Sequence, residues 1–90
     1  MDYFEVIKAK ILFKSARRRN WGSSHTAFDD LKKGFKPHDY NLVKNAAEEL
    51  IKENLLFKKP TSYGSHVSLN HEKAGEIKQK IFELLGVAVD

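Results

Sequence analysis

The chain has 90 residues, 41% hydrophobic and 31% charged, with a formal net charge of +4. This is the composition of one folded domain, spanning residues 1–90, with a small core; wholesale disorder is excluded. Cysteine is absent, so disulfides and thiolate metal sites are excluded, and with no apolar run near the ~18 residues of a membrane span and no signal-peptide pattern, a cytoplasmic protein without a membrane partner is expected.

Charge is unevenly spread. Lys8, Lys10, Lys14, Arg17, Arg18 and Arg19 follow one another with no acid among them, whereas the last 30 residues hold three lysines against four acids. A basic first half predicts one face that attracts phosphates.

In chain order, Phe4, Ile7 and Ile11 have helical spacing, broadened by Val6 and Phe13, which predicts a first helix over 2–17. Asn20, Trp21 and Gly22 break it. A short second helix is predicted over 25–33, capped by Ser23 or Ser24, with Phe28 and Leu31 inward and Asp29 and Asp30 at its positive end. A short extended segment between these helices is expected to pair with a later hairpin. Gly34 suits a left-handed C-cap, and Pro37 suits a first turn. A third helix follows over 38–54, with Val43, Ala46, Ala47, Leu50 and Ile51 inward and Asn54 as a left-handed stop. Strands are predicted over 55–59 and 66–69, the first ended by Pro60 and the two separated by TSYGS turn chemistry around Gly64. Asn70 caps a last helix over 71–85, ended by Gly86. Val87, Ala88 and Val89 form an apolar tail.

The segment GFKPHDYNLVKNAAEELIKENLLF (34–57), with KPTSYGSHVSLN (59–70), resembles small winged-helix proteins of archaea. The likeness lies in the GF turn, the A-x-x-L stripe, the N-LL strand opening and a YG wing closed by VSLN. It spans roughly residues 23–80 and leaves out the first helix and the RRRNW segment. The implied fold is α+β and mostly helical: a winged helix-turn-helix with a three-helix core, a β-hairpin wing and a C-terminal helix. The implied function is double-stranded DNA binding, as in small transcription regulators. Protein-interaction modules and RNA binders share this plan and stand as alternatives.

On this reading Tyr40, Asn41, Lys44 and Asn45 form the outward face of the third helix and enter the major groove, where Asn reads adenine and Lys reaches guanine or phosphate. Glu48 and Glu49 restrict that contact to the first two turns. In the wing, Lys58, Lys59, Thr61, Ser62 and Tyr63 suit the sugar-phosphate backbone. Arg17, Arg18 and Arg19 suit flanking phosphates, with Trp21 as their anchor at the core rim. The spacing of His25, His38, His66 and His71 matches no common zinc pattern, and no enzymatic motif is present, so no metal, cofactor or catalytic residue is expected. The first helix is apolar over a wide arc, which predicts a homodimer through the first helix, the last helix and the tail.

Overall fold

The computed structural model describes residues 2–22, 24–62 and 64–89. Asp2 opens α1 (Tyr3–Arg17): its carboxylate accepts a hydrogen bond from the Phe4 N–H at 3.0 Å, satisfying one of the free donors of the first turn. Ile7, Ile11 and Leu12 of α1 are fully buried. So is most of Lys8, whose ammonium meets Glu53 at 2.8 Å and Glu5 at 3.3 Å. This ion pair ties α1 to the end of α2 (Tyr40–Lys52).

The predicted helix over 25–33 is not formed as an α-helix. Thr26–Ala27 make a short strand, β1, and Phe28–Lys32 a 3-10 helix, with Ala27 rather than a serine preceding it. The physical reason is tertiary. β-branched Thr26 finds a backbone partner in Val67 and Ala27 in His66, which leaves five residues before the turn, too few to nucleate an α-helix. Ser24 instead donates its hydroxyl to the Asn20 side chain at 3.2 Å. The alternative cap Ser23 lies outside the described residues.

Lys33 leads to Gly34, at φ 91° as the left-handed turn requires. Pro37–Asp39 form one 3-10 turn and α2 follows. Val43, Ala46, Ala47 and Leu50 are its buried stripe, and Asn54 stops it at φ 63°. The strands are longer than predicted: β2 is Leu56–Thr61 and β3 is Gly64–Leu69, antiparallel from Leu56↔Leu69 to Thr61↔Gly64. Pro60 does not end β2. The sheet order is β1-β3-β2, so β2 is an edge strand. The pair that closes a two-residue hairpin is a hydrogen-bonded one and bonded pairs alternate, so Pro60 opposite Ser65 faces its missing N–H away from the sheet.

Asn70 is the expected cap. It accepts from the Glu72 N–H at 3.1 Å and donates to the Asn54 carbonyl at 2.9 Å. A 3-10 turn (His71–Lys73) then feeds α3 (Ala74–Leu85), which ends at left-handed Gly86. The expected extended segment is real, and wider than β1: Trp21 bridges Leu69, flanked by the Leu69 N–H to Asn20 carbonyl bond at 2.7 Å. The fold is thus α+β and mostly helical, three α-helices with a three-stranded antiparallel sheet. The core lies between α1, α2, α3 and the sheet, where Ile7, Ile11, Leu50, Leu55, Leu69, Ile77 and Ile81 are fully buried. Each such side chain contributes on the order of 2 kcal/mol. Among the described residues no helix is long and apolar enough to cross a membrane.

Candidate nucleic-acid interface

The stripe that buries α2 determines what it exposes. With Val43, Ala46, Ala47 and Leu50 inward, Asn41, Lys44 and Asn45 are exposed and Tyr40 is 37% exposed. Residues 41, 44, 45 and 48 are spaced by three and four, so they share one face. Between the 3-10 helix and α2 runs a groove of about 230 Å³ lined by Phe28, Asp29, Lys32, Tyr40, Asn41 and Lys44, among others. The Lys32 ammonium lies 5.2 Å over the Tyr40 ring, within cation–π range.

Glu48 continues the Lys44 face by one turn. Its carboxylate is 3.5 Å from the Lys58 ammonium on β2, an ion pair that turns the acid toward the hairpin. Lys58 also lies 5.0 Å over the Phe28 ring. It is therefore engaged within the fold, and Lys59 is the exposed lysine of the hairpin without an ion pair among the described residues. Thr61 donates its hydroxyl to the Gly64 carbonyl at 2.6 Å and so closes the hairpin end. Ser62 is exposed at the tip. Tyr63 lies outside the described residues.

Arg17, Arg18 and Arg19 are all exposed, and Arg17 lines one hollow with Arg18 and a second with Arg19. The Arg17 guanidinium lies 5.6 Å from the centre of the Phe13 ring, within cation–π range. Arg19 sits in the left-handed region at φ 56° and lines a groove with Trp21 and the tail. The hollow that Arg17 and Arg18 share with Lys14 adjoins the turn between the 3-10 helix and α2. There Lys14 donates its ammonium to the Lys33 carbonyl. Burial, then the charges of Arg18 and Lys33, hold the Lys14 ammonium below the ordinary lysine value, with Asp30 opposing. Cations crowded in this way favour a bound anion, which relieves their repulsion.

Lys14, Lys32 and Lys33 are site residues that motif reading did not single out. The signal was present in the Lys32–Lys33 pair beside Gly34, but their meaning depends on Lys14 crossing from α1 to that turn. Together Arg18, Lys14, Lys33, Lys32 and Lys44 make a basic strip that runs from the end of α1 to the exposed face of α2. Among the described residues, Arg17, Arg18, Arg19, Lys32, Lys44 and Lys59 have no ion pair, and Lys33 pairs with Asp30 at 3.2 Å on an exposed edge. Chemically, the surface offers amide side chains on a helix flanked by uncompensated cations. No family model, curated protein or solved structure matches the chain.

Proposed function

We propose that the chain is a winged helix-turn-helix that binds double-stranded DNA, as a small transcription regulator does. The 3-10 helix and α2 are its helix-turn-helix, and the β2–β3 hairpin is its wing. The element order and the sheet order β1-β3-β2 support this reading. The observation that carries it is the exposed Asn41, Lys44 and Asn45 face of α2, bordered on one side by the uncompensated Lys32, Lys14 and Arg18 strip and on the other by the wing. In this proposal α2 enters the major groove by its first two turns, and Asn41, Lys44 and Asn45 meet base edges. Lys59 and Ser62 touch one flanking backbone, and Lys14, Arg18, Lys32 and Lys33 the other. Lys58 serves mainly to hold the wing against α2.

The test is fluorescence anisotropy with random duplex DNA, duplex RNA and single strands over a range of salt. Neutralising about four to six phosphates gives a log–log salt slope of roughly −4 to −5. No binding to duplex DNA at about 50 mM salt and tens of micromolar protein overturns the reading, and a preference for duplex RNA reassigns the surface.

A further inference from the structure

Beside the hollow that Arg18 shares with Lys14, and joined to it through Phe13 and Arg17, lies an open groove of about 480 Å³. Its apolar wall is Phe13, Ala16, Trp21 and Val89, and its charged rim is Arg17 and Arg19. Among the described residues no acid lines it and neither arginine has an ion pair. Arg17 has its guanidinium carbon 5.6 Å from the centre of the Phe13 ring, within cation–π range, and a guanidinium so placed can still offer a bidentate contact. Arg19 is held at φ 56°, a conformation that costs a non-glycine residue on the order of 1 kcal/mol and that glycine or asparagine would take more readily. Trp21 lies between the hydrogen bonds that Asn20 and Gly22 make to Leu69, so its backbone is anchored to β3 while the residue remains partly accessible.

We propose that this groove is a binding site for a small, flat organic anion, whose carboxylate or phosphate is held by Arg17 and Arg19 and whose ring packs on Trp21 and Phe13. Two uncompensated guanidiniums over an aromatic wall are complementary to that chemistry, and a ring lacking the charge, or a charge lacking the ring, fits only half of it. The site adjoins the DNA-binding surface proposed above, since Phe13 and Arg17 also line a hollow with Lys14 and Arg18, but it does not depend on that reading. Because Trp21 bridges the root of β3, the ligand would bind beside the base of the hairpin.

Trp21 is the single tryptophan of the chain, so its fluorescence reads the site directly. The probes are adenosine monophosphate and benzoate, which separate a nucleotide from an aromatic carboxylate, against adenosine, benzyl alcohol, inorganic phosphate and acetate. The expected result is a saturable change with one of the ring-bearing anions. It should be at least about tenfold weaker for the uncharged rings and the ringless anions, which corresponds to about 1.4 kcal/mol. Arg17→Gln and Arg19→Gln should each weaken it by a similar factor with an unchanged circular dichroism spectrum. Arg19→Gly, which the left-handed backbone favours, serves if Arg17→Gln does not fold. No saturable response to either ring-bearing anion up to about 10 mM, or a response that persists unchanged when Arg19 is replaced, overturns the proposal.

Discussion

Arg19 and Lys8 carry single-residue consequences that depend on conformation and burial. Arg19 adopts a left-handed backbone with a side chain that gains no ion pair among the described residues. Arg19→Gly is therefore expected to raise stability by about 0.5–1 kcal/mol in chemical denaturation, even as it removes half of the charged rim of the Trp21 groove. Lys8 is the reverse case. Burial alone would lower its ammonium, but hydrogen bonds to Glu53 and Glu5 and their charges outweigh it and hold the group above the usual 10.5. The folded state then binds this proton more tightly than the unfolded chain. Its contribution is full below 10.5 and is lost as pH rises through the folded value. Lys8→Met should cost about 1–2 kcal/mol near neutral pH, because two half-exposed acids lose their partner. The difference from wild type should shrink as pH rises above 10.5, in urea titrations at a series of alkaline pH values. On the proposed DNA surface, Lys44→Ala and Asn45→Ala should lose discrimination between sites while Lys33→Ala, Arg18→Ala and Lys59→Ala weaken all sequences alike. Equal loss on every sequence for both groups, in competition binding, would place Lys44 and Asn45 on the backbone instead.

At the level of elements, the hairpin and α3 are joined through Asn70. Its side chain caps the turn before α3 and also satisfies the Asn54 carbonyl where α2 stops. Asn70→Ala is expected to cost about 2 kcal/mol, the sum of a lost cap and a lost bond at a site only 5% exposed; a change under about 0.5 kcal/mol would show that water replaces both contacts. The helices and their punctuation were readable from periodicity and from Gly34, Asn54, Asn70 and Gly86, each of which supplies the left-handed turn or the cap its position suggests. The segment 25–33 was not readable. Its residues suit a helix locally, and only the open edge of β3 draws Thr26 and Ala27 into a strand.

For the whole molecule, the surplus of apolar residues on α1 divides. Ile7, Ile11 and Leu12 are consumed by the core and Phe13 packs against it, whereas Tyr3 is 52% exposed and donates its hydroxyl to Asp39 at 2.7 Å. Exposed apolar side chains lie instead on α3 and the tail, where Phe82 is 55% and Val87 36% exposed, and on β2, where Phe57 is 47% exposed. A homodimer through α3 and the tail follows as an expectation, with two half-sites about 34 Å apart if both copies bind DNA. Sedimentation equilibrium at about 100 μM should show a dimer that Phe82→Glu reduces to monomer; a monomer mass for the wild-type chain would remove the palindromic arrangement.

Local rules carried the reading of this chain as far as local rules reach. Helical spacing, capping residues and turn glycines set where α1, α2 and α3 lie, and the stripe on α2 determined that Asn41, Lys44 and Asn45 face outward, because a 3.6-residue period places them opposite Val43, Ala46 and Ala47. Pairings between distant segments were decided only by the tertiary structure. It removed Lys58 from the free cations by matching it to Glu48, brought Lys14 to the Lys32–Lys33 turn, and set Arg17 between a hollow shared with Arg18 and a groove shared with Arg19. The reason is that a charge's partner is set by distance in space, and neighbouring residues at the end of a helix point in different directions even when the sequence writes them side by side.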